Sequence, residues 1–172
     1  MVEDYLGLDN FCNLLKINDL IMKTLGNILW HFPFLGFLSA LYTFILGIIF
    51  TITVIGAPIG LGMIQHSKFL LSPFSKRMIS DSEIKNDKST LWRIMGIIAL
   101  ILYLPFGIVA SIIILIQILL LFISIVGIPV ALVLSKSLST YFNPVGKICV
   151  DSEVADEINK RKAKQKVDNM LN

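Results

Sequence analysis

The chain has 172 residues, 55% of them hydrophobic, with a mean hydropathy of +0.79 and a formal net charge of +3. Its 15 basic and 12 acidic residues avoid two stretches, 24–67 and 94–135, so that half the chain carries no formal charge. Disorder, collagen-like repeats and a disulfide scaffold are excluded, and an integral membrane protein is predicted.

Residues 1–19 open with Glu3, Asp4 and Asp9. No signal-peptide pattern follows, so a cytoplasmic N-terminal extension is expected. A first membrane unit is expected over 20–84. Leu20–Trp30 is a helix-compatible arm too short to span alone, interrupted by His31-Phe32-Pro33. Phe34–Ile55 is uncharged and of span length. Gly56-Ala57-Pro58 then breaks the helix, because Pro lacks an N–H and crowds the preceding turn. Over Ile59–Ser72 the residues Gln65, Lys68 and Ser72 fall on one helical stripe, which predicts an amphipathic interfacial helix with Lys68 among the headgroups.

A basic linker is assigned to 85–93, and a second membrane unit to 94–154. Ile94–Leu104 leads to Pro105, Phe106–Val126 is span-length, and Gly127-Ile128-Pro129 is the second break. Val130–Phe142 carries Lys136 and Ser139, in stripe with Asn143. Residues 155–172 form a charged tail, expected to be helical and cytoplasmic.

Shifting the sequence by 71 positions superposes Gly36 on Gly107, Gly56 on Gly127, Pro58 on Pro129, Pro73 on Pro144 and Lys76 on Lys147. A one-residue slip then aligns Asp81-Ser82-Glu83 with Asp151-Ser152-Glu153. Matching Gly, Pro and charged residues are not a by-product of Leu/Ile richness, and a tandem duplication is predicted. Basic residues flank the second run on both sides, and an odd number of crossings per unit would export one flank. Parallel repeats are therefore expected, with an even number of crossings each and both termini inside. The turn of each hairpin is left between two positions, near Gly36 and Gly107 or at the Gly-x-Pro. Met78-Ile79-Ser80-Asp81 and Ile148-Cys149-Val150-Asp151 are predicted to pair as a two-stranded ribbon that ties the halves together.

Gly26-Asn27-Ile28-Leu29-Trp30, Ile52-Thr53-Val54-Ile55-Gly56-Ala57-Pro58 and Pro73-Phe74 resemble the YccF family, the bacterial inner-membrane component domain. Ile125-Val126-Gly127-Ile128-Pro129 and Pro144-Val145-Gly146-Lys147 carry the resemblance in the second half. The resemblance implies two tandem copies and an inner-membrane, multi-pass location. It implies no activity. The sequence departs from the family at Ala57, at Ser75, and at Ile101, which stands in the register of Trp30.

His31 and His66 lack a carboxylate or Cys at ligand spacing and are read as amphipathic side chains at the membrane boundary. Cys12 and Cys149 are read as free reduced thiols, and no cofactor or metal is expected. The paired breaks, Gly56 with Pro58 and Gly127 with Pro129, are the candidate pathway residues, because an interrupted membrane helix frees backbone groups. Gly60, Ala131 and Gln117 are candidate packing residues. Trp30, Lys68 and Lys136 are candidate interfacial residues.

The expected function is a non-enzymatic structural or accessory membrane component that self-associates. The alternative is a small channel or transporter subunit using the paired breaks as its path. Expected partners are anionic lipid headgroups at the basic flanks, further copies of the chain and a second membrane protein, with no nucleic acid.

Overall fold

The computed structural model describes residues 2–32, 34–83 and 90–171. Pro33 and the linker residues 84–89, with Lys85 and Lys88, lie outside them. α1 (Val2–His31) bends by 76° into α2 (Gly36–Ile52). The bend is made by Leu35 at φ 54°, a left-handed conformation that a branched side chain adopts only under constraint. A 3₁₀ turn (Val54–Gly56) leads into α3 (Ala57–Leu71) and strand β1 (Lys76–Ser80). α4 (Thr90–Ile123), a second 3₁₀ turn (Ile125–Gly127), α5 (Ile128–Phe142), strand β2 (Lys147–Asp151) and α6 (Ser152–Leu171) complete the chain.

From α2 onward the element bounds recur at one offset. Both ends of the 3₁₀ turn, of the return helix and of the strand lie 71 residues further on in the second half, as do the ends of α2 and α4.

The expected interfacial helices do not stand apart. α3 folds back along α2 and buries Ile59, Gly60, Gly62, His66, Phe69 and Leu70. α5 folds back along α4 in the same way. Of the two turn positions left open, the hairpins turn at the Gly-x-Pro. Small residues explain the preference. A Cβ on Gly60 would lie 2.5 Å from both Gly47 O and Thr51 N, so two glycines let the α2 and α3 backbones meet.

The two halves differ in the arm. The sequence breaks the second arm at Pro105, but Thr90–Ile123 is one helix with Pro105 inside it. Arg93 and its three predecessors, assigned to the linker, form its first turn. A proline removes one helical hydrogen bond. Ending the helix among apolar surroundings would strand several backbone groups, so continuing is the cheaper solution.

β1 and β2 pair antiparallel, with Met78 opposite Cys149 and Ile79 opposite Ile148, as the ribbon hypothesis anticipated. Met78 and Cys149 are also 71 residues apart. The pairing is extended at both ends by Asp81 N–H to Gly146 O (2.7 Å) and Ser152 N–H to Ser75 O (2.9 Å), again positions 71 apart. Equivalent strands facing each other about their central pair are what a local two-fold axis produces.

The core lies at this base, where Trp30, Phe69, Leu70 and Val133 pack with Phe74, Met78 and Cys149. Pro73 and Pro144, which precede the two strands, are fully buried. α6 is held by Arg77 to Asp156 (2.6 Å) and by the buried Ala155.

Candidate functional site

The two breaks form hairpin tips. Gly56 N–H donates to Thr53 O (2.7 Å) and Gly127 N–H to Ser124 O (2.9 Å). Neither glycine uses a positive φ; each is required by close approach. A Cβ on Gly56 would meet Thr53 Oγ1 and Phe50 O, and one on Gly127 would sit 2.6 Å from Leu121 O. Pro58 and Pro129 occupy the first turn of each return helix. Proline suits that position because its missing N–H has no intrahelical acceptor there. Around the tips the side chains are apolar and exposed: Val54 73%, Ile55 61%, Ile125 85%, Val126 67%.

The candidate packing residues divide. Gly60 and its counterpart Ala131 are buried inside their own hairpins. Gln117 is not: it lies on the exposed face of α4 inside the apolar stretch. Its amide therefore has no partner helix within the chain, because α5 packs along the neighbouring Ile118 face.

Trp30 departs from the boundary position expected of it. Its side chain is 4% exposed, covers Gly36, and donates from Nε1 to Leu70 O at 2.8 Å. His31 Nε2–H donates to the next carbonyl, Leu71 O, at 2.9 Å. These are carbonyls of the last turn of α3, which no helical N–H can reach. In the second half Tyr103 Oη donates to Tyr141 O at 2.9 Å, in the last turn of α5. Tyr103 thus performs the capping that Trp30 performs, from a position two residues past Ile101. Direct register comparison missed it because the indole and the phenol reach out by different lengths.

Lys68 is exposed. Lys136 lies over the Phe74 ring, 5.1 Å from its centroid, and donates to Pro73 O at 3.2 Å. It belongs to the base of the fold as well as to its surface.

His66 also differs from its expected boundary position. It is 3% exposed, stacked on Phe69 with 5.8 Å between ring centroids and edge-on to Tyr141 at 5.0 Å. Its Nε2 and the hydroxyl of Thr140 have no hydrogen-bond partner among the described residues. Both residues line a chamber of about 240 Å³ between the hairpins, with Ser39, Thr43 and Tyr103. A hydroxyl-rich chamber around one imidazole can hold water or a small neutral hydrogen-bonding molecule. Sequence spacing gave no hint of it, because α2, α3, α4 and α5 all contribute. Among the described residues no group of three or more His, Cys, Asp or Glu is placed to hold a metal ion.

The structure is a helical protein with two helices, Thr90–Ile123 and Ile125–Phe142, long and apolar enough to cross a membrane, and a bent pair over 11–52 that passes the same test together. Residues 25–76 match the family described as the inner membrane component domain, YccF. That segment runs from the end of α1 through the first hairpin to the first residue of β1, and the match and the apolar helices together support an inner-membrane protein. The match covers one copy. No curated protein and no solved structure matches the chain.

Proposed function

We propose that the protein is a non-enzymatic inner-membrane component built from two tandem copies of the matched domain, with both hairpins entering the bilayer from the cytoplasmic side. The observation that carries this reading is the character of the tips. A turn emerging into water on the far side would carry polar residues; these end in exposed Val and Ile. The arms agree. α2 has 17 residues and α3 and α5 have 15 each, or about 26 and 23 Å at 1.5 Å per residue, somewhat under a hydrocarbon core of about 30 Å. The tips are built for a dry environment. Their turn N–H groups are bonded within the turn, and Pro58 and Pro129 present no N–H. Both hairpins return to the paired strands, which keeps α1, the sheet and α6 on one side.

Self-association is the second part of the proposal. Only 11% of the apolar window of α4 is buried within the chain, and Gln117 sits on its exposed face. Hydrocarbon offers an amide no partner, whereas the same amide of another copy does.

Cysteine at Ile55 and at Val126 tests the insertion. An impermeant thiol reagent on intact cells leaves both unlabelled if the tips stop in the bilayer. Labelling from outside would establish full crossings and overturn the reading. A pathway reading has one observation in its favour, the unpartnered His66 and Thr140 in the chamber between the hairpins. Labelling of Ala57→Cys and Ile128→Cys by a water-soluble thiol reagent, with flux through the reconstituted protein, would favour it.

A further inference from the structure

Two grooves of about 580 and 600 Å³ open at the base, one beside α3 and the other beside α5. They are counterparts. Pro58, Leu61 and Gln65 line the first; Pro129, Leu132 and Lys136, each 71 residues on, line the second. Arg93, Gly96 and Leu100 of α4 in the first correspond to Met22, Leu25 and Leu29 of α1 in the second. Each groove lies between an arm from one half and a return helix from the other.

Their chemistry has diverged. The second groove brings together Lys23, Arg77 and Lys136 from α1, β1 and α5. The register counterparts of these residues are Ile94, Ile148 and Gln65. Lys23 is paired with Asp19 and Arg77 with Asp156, both at 2.6 Å. Lys136 has no carboxylate partner among the described residues. One of its three ammonium donors is taken by Pro73 O, which leaves two donors and a positive charge uncompensated.

Below this charge the groove is apolar. Ile128, Leu132 and Lys136 succeed one another at four-residue spacing along α5, and Leu25 and Leu29 form the facing wall. All four aliphatic side chains are partly exposed and continue into the uncovered surface of the hairpin. A soluble anion has no use for such a wall, whereas a diacylglycerol does.

We propose that this groove is a binding site for an anionic phospholipid, its monoanionic phosphodiester held by Lys136 between Lys23 and Arg77 and its first methylenes lying on Leu132 and Ile128. The site rests on the reading that the hairpins enter the bilayer. The other groove, with Gln65 in place of Lys136, lacks the uncompensated ammonium and does not share the preference.

Native mass spectrometry of the full chain in mild detergent tests it, with phosphatidylglycerol and phosphatidylcholine as probes. Wild type is expected to retain phosphatidylglycerol at least about tenfold better, and Lys136→Gln to lose about fivefold of that retention, with Lys136→Arg restoring it. Lys136→Gln installs the residue of the other groove, and an unchanged melting temperature certifies its fold. Lys164→Gln on α6 serves as the control. Equal retention of both lipids, no loss in Lys136→Gln, or an equal loss in the α6 variant would overturn the site. Displacement of the lipid by glycerol 3-phosphate at equal concentration would show the ligand to be a soluble phosphate and would overturn it too. Alkaline carbonate extraction tests the insertion separately: release of the protein from membranes would overturn the bilayer reading whatever the lipid result.

Discussion

Trp30 and Tyr103 cap the return helices of the two hairpins, and removing their donors tests the structure quantitatively. Trp30→Phe keeps an aromatic ring on Gly36 but leaves Leu70 O without its 2.8 Å donor in a buried site. An unpaired buried acceptor costs about 1–3 kcal/mol. The smaller ring adds roughly 1 kcal/mol of lost packing against Phe69 and Leu70. At roughly 2–4 °C per kcal/mol for a chain of this size, the melting temperature should fall by roughly 5–12 °C. Tyr103→Phe removes only a hydroxyl, and Tyr141 O lies in a part-buried site that water can reach. Its cost should be about 1 kcal/mol, or roughly 2–4 °C. The assay is thermal unfolding of the purified protein in detergent, followed by circular dichroism at the helical band. Because the two caps sit on different hairpins, the double variant should show additive losses. Melting temperatures within about 1 °C of wild type for both single variants would refute the capping argument, since the carbonyls would then have other donors.

Gly60→Ala should destabilise the first hairpin although alanine is the better helix former, because its Cβ would meet Gly47 O and Thr51 N at 2.5 Å. Ala131→Gly, at the equivalent place, should cost only about 1 kcal/mol of helix propensity, and unfolding of the two variants side by side checks the contrast. Burial pushes the Cys149 thiol up from its ordinary range, so at neutral pH it holds less thiolate than a free thiol. A maleimide should therefore modify the exposed Cys12 first in detergent, and the gap should narrow as pH rises; faster reaction at Cys149 would contradict its placement beside Met78. On intact cells an impermeant reagent should reach neither thiol, and labelling of either would contradict termini on the cytoplasmic side. Gln117→Leu should shift the detergent-solubilised particle toward lower mass if the amide pairs between copies, whereas an unchanged oligomer would move the contact elsewhere.

The membrane class, the 71-residue offset and the pairing of Met78–Asp81 with Ile148–Asp151 were legible in the sequence. Absence of charge, the spacing of Gly and Pro, and β-branched stretches are local signals that survive without knowing which surfaces meet. Where the hairpins turn was not legible. Gly36 and Gly56 both permit a turn, and the choice is made by α2 meeting α3 through Gly47 and Gly60. Pro105 reads as a break on local grounds and is overruled by the cost of opening a helix among apolar neighbours.

The functional candidates divide along the same line. The tips are contiguous in sequence, so Gly56, Pro58, Gly127 and Pro129 could be singled out from it. The chamber around His66 and the groove holding Lys23, Arg77 and Lys136 draw residues from three or more elements, and no spacing along the chain encodes them. Composition by itself determined the solvent in which this protein folds. Tertiary structure decided which polar groups it withholds from that solvent, because burial and partnership depend on contacts between segments far apart in the chain.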